Sequence, residues 1–416
     1  MTGVLLDFVS YHLRWKYREF VSNMVCVPAL LGIVLVYFIV FILRFLHHKQ
    51  TFESRLYYKK SRLGVLLVKK CKRLSQPFVP CFWACNAHLQ SILPWILPQI
   101  ETEFSREYLQ MADKGVIALD WAVVNERALD KDSPVLIIIP ALPQSTADMS
   151  SLCAYALSRK YRPVVFLRRG HGKMPLTTRR LQTFAEVGDL EETIVFVNRM
   201  YPTAEICAVG ISSGSGLLIS YLGELGNNCG LKSAVCVSPC YDAETYFKGK
   251  LWQPYNWLYT WKLKNLLRQH PCLRECLNYE YAMDSQTVKD FEERVFMKLN
   301  PQYYSPEEYW RLNNPMRNVA NVSIPVLCVN ALDDPVCPKE VIPFSLFKTS
   351  SNFFLLTTEK GGHCGFLENT IPASWTNSLV CDYLETIISI EIPKAPEDNH
   401  LTILDKLGPR SRSYTT

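Results

Sequence analysis

The chain has 416 residues, a net charge of +6, 48% hydrophobic residues and 20% charged residues. That composition is too apolar for a disordered chain and too mildly basic for a nucleic-acid binder, and no repeat with a period of about 20–50 residues is visible. The length suits one large α/β domain with additions.

Residues 1–23 read as an amphipathic segment, with Phe8, Leu13, Trp15, Tyr17 and Phe20 on a membrane-facing side. Met24 to Leu43 is a run of 20 residues without a charge. As a helix it would rise about 30 Å, the thickness of the hydrocarbon core. Arg44-Phe45-Leu46-His47 offers no small-residue cleavage site, so the run reads as an uncleaved transmembrane anchor. Lys49, Arg55, Lys59, Lys60, Arg62, Lys69, Lys70 and Lys72 follow it, against Arg14, Lys16 and Arg18 before it. The positive-inside bias therefore expects a single-pass endomembrane protein, at the endoplasmic reticulum or a similar membrane, with its body in the cytosol. The same basic cluster suits anionic headgroups, or equally a solvated linker. The sequon Asn321-Val322-Ser323 argues weakly for the lumen.

The 15 cysteines are odd in number and scattered, without a C-x-x-C pair. They read as buried free thiols in a reducing compartment, neither a metal site nor a disulfide framework.

Residues 44–100 read as a basic connector, 101–391 as the globular body, and 392–416 as a disordered tail. In the body, short apolar runs alternate with helical patterns. The runs are Val135–Ile139, Val164–Leu167, Ile206–Val209, Ala234–Val237, Pro325–Val329 and Phe353–Leu356. Continuous runs of this length fit strands buried on both faces of a mostly parallel sheet, with helices on either side. From about 241 to 316 the sequence turns aromatic and helical, which reads as a cap inserted between late strands.

Gly210-Ile211-Ser212-Ser213-Gly214 is a G-x-S-x-G motif between a strand and a helix. Such a turn holds a nucleophilic serine at strained dihedrals. Ser213 and Ser215 stand beside it, but only Ser212 has glycine two residues away on both sides. An acid and a histidine follow in the order this chemistry needs. Asp334, four residues before Pro338, is the candidate acid, and Asp333 its rival. His363, in the loop Gly361-Gly362-His363-Cys364-Gly365-Phe366, is the candidate general base among eight histidines. The backbone N–H groups of Ser213 and Leu142 are the candidate oxyanion donors. This chemistry calls for no cofactor and no metal.

Several further stretches resemble the YheT-like branch of the α/β-hydrolase family across roughly residues 75–390. They are Asn86-Ala87-His88-Leu89-Gln90-Ser91, Arg169-Gly170, Pro175-Leu176-Thr177, Asp189-Leu190, Ala331-Leu332-Asp333-Asp334-Pro335 and the His363 loop. The resemblance implies an α/β-hydrolase fold and membrane-bound hydrolysis of an acyl ester, with lipid as the expected substrate. Two departures stand out. Pro140-Ala141-Leu142 replaces the family's H-G-L, and Ser213-Gly214 replaces its Met-Gly after the nucleophile. They leave open a second reading, in which the fold survives as a weakly active or inactive scaffold that binds a lipid or a protein partner.

Overall fold

The computed structural model describes residues 31–42, 52–98, 100–123, 129–142, 144–247, 251–369, 371–390 and 413–415. They fall into two compact units, Met1–Thr51 and Phe52–Thr416. In the first unit residues 31–42 are helical, and their apolar side chains are largely exposed. The expected amphipathic segment, residues 24–30 of the expected anchor and its last residue, Leu43, lie outside the described residues. Among the described residues no helix is long and apolar enough to cross a membrane.

The second unit is built on one sheet. Its strands are β1 (Ser54–Tyr57), β2 (Phe104–Gln110), β3 (Val116–Ala122), β4 (Val135–Ile139), β5 (Arg162–Leu167), β6 (Ile206–Ile211), β7 (Ser233–Val237), β8 (Val326–Ala331) and β9 (Phe353–Thr358). A small hairpin, β10 (Leu367–Glu368) and β11 (Ala373–Ser374), and a last strand, β12 (Ser413–Thr415), complete the set. The order is β1-β9-β8-β7-β6-β4-β5-β3-β2-β12. Strands β4 to β9 run parallel, and β1, β3, β2 and β12 join antiparallel at the margins.

Sequence chemistry explains the layering. β4 is Val-Leu-Ile-Ile-Ile with every residue buried. Its side chains alternate between two cores, as a strand's period of two requires. Leu136 and Ile138 pack with the helices Ser150–Ser158 and Trp375–Ile388. Val135, Ile137 and Ile139 pack with Gly188–Met200 and Ser213–Leu225 on the other face. Each fully buried aliphatic chain contributes about 1.5–3 kcal/mol against exposure. This is an α/β-hydrolase fold. Beyond β7 the chain is helical from Ala243–Phe247 to Pro306–Leu312, with its own core around Leu267, Phe291 and Trp310.

Two expectations need correction. The stretch 44–100 is not a connector throughout. From Phe52 it belongs to the second unit, with Ser54–Tyr57 paired to β9 in the sheet. Ser-Arg-Leu-Tyr lacks the apolar run of a central strand because an edge strand buries little. The tail also carries regular structure, since Ser413–Thr415 pairs with β2; residues 391–412 lie outside the described residues.

A buried charge cluster ties the early loops together. Arg169 donates to Asp189 at 2.6 Å through both Nε and Nη2, and to Asp113 at 2.6 Å through Nη1. Bidentate pairing of this kind offsets the desolvation of the guanidinium. It gives a structural role to the Arg169 and Asp189 stretches singled out in the sequence.

Candidate active site

β5 lies on one side of β4 and β6 on the other, so the strand order reverses at β4. A crevice opens at such a switch point beyond the C-terminal strand ends. Ser212 stands there, directly after β6, with φ 51° and ψ −116°. Positive φ is costly for a residue with a Cβ, and strain of this kind is sustained only where the surroundings over-determine it. The surroundings here are tight. The Ser212 N–H donates to the Val237 carbonyl at 2.8 Å. A Cβ on Gly214 would lie 2.1 Å from the Ile139 carbonyl oxygen, so no larger residue fits the first helical turn.

His363 reaches the serine from the loop after β9. Its Nε2 lies 2.7 Å from Ser212 Oγ, and its Nδ1 lies 2.9 Å from Asp334 Oδ2. Asp334 is held by the N–H groups of Val336 and Cys337, which donate to its Oδ1 at 2.7 and 2.8 Å. Its side chain is 0% exposed. Burial opposes a charge on the His363 imidazole, but the Asp334 carboxylate outweighs it and raises the pKa well above the ordinary range. The rival Asp333 points elsewhere. Its Oδ1 accepts from the Gly362 N–H at 3.0 Å, and Lys360 lies 3.7 Å from its Oδ2. Burial raises its pKa.

The segment Asn86–Ser91 forms the wall behind this loop. Asn86 caps the helix Ala87–Ile96. The buried Gln90 donates to the Ala84 and Leu367 carbonyls and accepts from the Leu367 N–H. Ser91 Oγ accepts from the His363 N–H at 2.8 Å and donates to the Ala87 carbonyl at 2.7 Å. A Cβ on Gly365 would lie 2.1 Å from the Gln90 carbonyl oxygen, which explains the glycine. Sequence reasoning noticed this stretch only as a resemblance and gave it no role. Neither Gln90 nor Ser91 stands out in the sequence, because each meets the His363 loop only through a tertiary approach.

The oxyanion side differs from the simplest expectation. The Leu142 N–H donates to the side-chain oxygen of Ser213 at 2.7 Å. The Ala141 N–H donates to Gln144 Oε1 at 3.0 Å, and proline at 143 has no N–H. Ser213 is the first residue of its helix, where an N–H has no partner in the helical ladder.

A pocket rises from Ser212 and His363 into the cap. Its walls are apolar, with Ile92, Phe184, Leu258, Leu263 and Val288 among them. Glu292 also lines it, on a single π-helical turn. Burial raises the Glu292 pKa to about 7, and the Tyr309 hydroxyl donates to its carboxylate. Nothing in the sequence distinguished this glutamate from the other cap acids. Among the described residues, one group has metal-ligand spacing: Asp334, Cys337 and His363. Two of its members already pair with each other. The third keeps its proton, because hydrogen bonding to Cys240 and burial raise the Cys337 pKa well above the usual thiol range. The group therefore suits proton transfer better than metal binding.

Residues 133–368 match the family described as serine aminopeptidase, S33. The chain is 36% identical to Protein ABHD15 of Homo sapiens over 314 residues, 73% of this chain and 67% of that protein. It is 29% identical to Phospholipase ABHD3 of Mus musculus over 79% of this chain and 81% of that protein. It is 25% identical to Monoacylglycerol lipase ABHD2 of Mus musculus over 82% of this chain and 87% of that protein. With more than half of its residues matched and its fold described, the chain belongs to the serine aminopeptidase S33 family of serine hydrolases, in the α/β-hydrolase domain-containing branch.

Proposed function

We propose that this protein is a membrane-anchored serine hydrolase that cleaves acyl esters of lipids, with Ser212, His363 and Asp334 as its triad. The observation that carries the reading is the unbroken chain from Ser212 Oγ through the imidazole to a buried carboxylate, at the floor of an apolar pocket. Ser212 Oγ attacks the ester carbon, and His363 Nε2 takes its proton. The tetrahedral centre collapses, and the imidazolium returns the proton to the leaving alkoxide. Water then attacks the acyl-enzyme by the same route in reverse. Asp334 holds the imidazole in the tautomer that leaves Nε2 free to accept. The apolar walls suit an acyl chain, and two relatives are named as lipid hydrolases.

Fluorophosphonate labelling tests the nucleophile. Label should enter the protein and vanish in Ser212→Ala; label retained in that variant would place the nucleophile elsewhere. The anchor, residues 24–43, should resist alkaline carbonate extraction, and recovery of the full chain in the soluble fraction would refute it. The cytosolic side is supported by the basic residues after the span and by buried thiols such as those of Cys153, Cys207, Cys236 and Cys381. Asn321 Nδ2, the atom a glycan would need, donates to the Gly223 carbonyl at 3.3 Å. Protease protection of a C-terminal tag in sealed microsomes would overturn the cytosolic side.

One observation favours the second reading, a scaffold of little activity. The Leu142 N–H is occupied by the Ser213 hydroxyl, so the oxyanion site is not open in this arrangement.

A further inference from the structure

Two helices frame the pocket mouth, Ala87–Ile96 and Gln253–Arg268. Ile92 and Trp95 from the first and Leu258 and Tyr259 from the second line the pocket. The helices are locked side by side. Trp95 meets Tyr259 at 6.4 Å between ring centroids, and the Tyr255 hydroxyl lies 3.0 Å from His88 Nδ1.

The outer faces of these helices are apolar and exposed. Trp257 and Trp261, one helical turn apart, are 67% and 46% exposed, and Ile96 is 70% exposed. Trp252, Leu89 and Ile92 extend the same concentration. Other exposed large apolar chains of the described body, such as Val65, Met200 and Ile371, lie on separate elements. An exposed apolar cluster of this kind marks an interaction surface. On the two helices themselves the charge is one-sided, with Asp148 acting on Lys262 from outside them. Neither helix contains an aspartate or a glutamate, while Gln253–Arg268 carries Lys262, Lys264 and Arg268. Lys262 Nζ sits 3.4 Å from the centroid of the Trp95 ring, so a cation stands within the aromatic patch.

Indole rings favour the boundary between headgroups and acyl chains, and lysine and arginine beside them favour anionic lipid. We infer that this two-helix face docks on the surface of an anionic bilayer, so that the pocket mouth opens at the acyl boundary and substrate enters directly from the membrane. The inference rests on the lipid-ester reading for what enters the pocket, but docking itself needs no turnover.

The test uses the full chain reconstituted in vesicles of phosphatidylcholine with phosphatidylserine. The variant is the double substitution Trp257→Ser and Trp261→Ser, at positions that do not line the pocket. Brominated acyl chains should quench the parent's tryptophan fluorescence, and the variant should lose a large part of that quenching. For a lipid ester in the vesicle, the variant's kcat/KM should fall about tenfold, as expected for two interfacial indoles. For a soluble p-nitrophenyl ester it should stay within about twofold of the parent. Equal quenching in parent and variant, with vesicle-lipid turnover intact, overturns the docking and leaves the face to a protein partner. If neither substrate is cleaved by the parent, the hydrolase reading fails, and quenching that depends on Trp257 and Trp261 still supports docking.

Discussion

Removing one hydroxyl decides how the oxyanion side works. Ser213 Oγ lies 2.7 Å from the Leu142 nitrogen, at the distance an oxyanion itself would take from that donor. Before Leu142 can serve a tetrahedral intermediate, the hydroxyl must rotate away and break that bond. A neutral hydrogen bond contributes about 0.5–1.5 kcal/mol net. At about 1.4 kcal/mol per factor of ten, opening the site costs roughly two- to tenfold in rate. Ser213→Ala deletes the occupant and keeps the backbone N–H of residue 213, so acylation should speed up by about two- to tenfold. The assay is the second-order rate of fluorophosphonate labelling, read beside kcat/KM for a soluble ester, because the phosphonyl centre carries its own developing oxyanion. The opposite outcome has its own meaning. A loss of about a hundredfold or more is the size of a missing oxyanion donor. It would show that the Ser213 O–H itself donates to the intermediate, with Leu142 polarising it from behind, and would refute the occupant argument.

Asp334→Asn should lower kcat by about three to four powers of ten, whereas Asp333→Asn should leave most of it, since only Asp334 meets the imidazole. A reversed ranking in steady-state rates would make Asp333 the orienting acid. The pH profile gives an independent reading. Catalysis needs neutral His363, whose pKa the Asp334 carboxylate raises against the effect of burial, so activity is lost as pH falls through that raised pKa. In Asp334→Asn the acid limb of the residual activity should move to lower pH, and an unmoved limb would detach it from His363. Ser91→Ala should leave the buried His363 N–H without its acceptor. Denaturant unfolding should then register a loss of about 1–3 kcal/mol, and kcat should fall at nearly constant KM; unchanged values of both would deny Ser91 any role in holding the loop.

The sequence made the centre of the sheet legible and its margins illegible, for one physical reason. β4 is buried on both faces and writes that burial as five consecutive apolar residues. β1 sits at an edge, half-exposed, and Ser-Arg-Leu-Tyr carries no such run. β2, Phe-Ser-Arg-Glu-Tyr-Leu-Gln, alternates and hides its ion pair, Arg106 to Asp120 on β3 at 2.7 Å, among ordinary surface charges. The same logic governs the site. Ser212 was legible because a strained turn demands glycine at fixed offsets, and those glycines are visible in a single chain. Asp333 and Asp334 were not separable by composition. They are neighbours on one loop, and which of them faces His363 depends on two N–H groups, Val336 and Cys337, that fix the Asp334 carboxylate. Ser91 and Glu292 were less accessible still, since each joins the site through a tertiary approach from a distant helix. The departure at Ser213 was legible as a residue and not as a contact. A serine after the nucleophile shows only that methionine is missing, whereas its bond to Leu142 exists because β4 and the turn after β6 are parallel neighbours in the sheet. The state of the oxyanion side thus lies in a pair of residues 71 positions apart. Neither is unusual alone, and together they decide whether the oxyanion site is open.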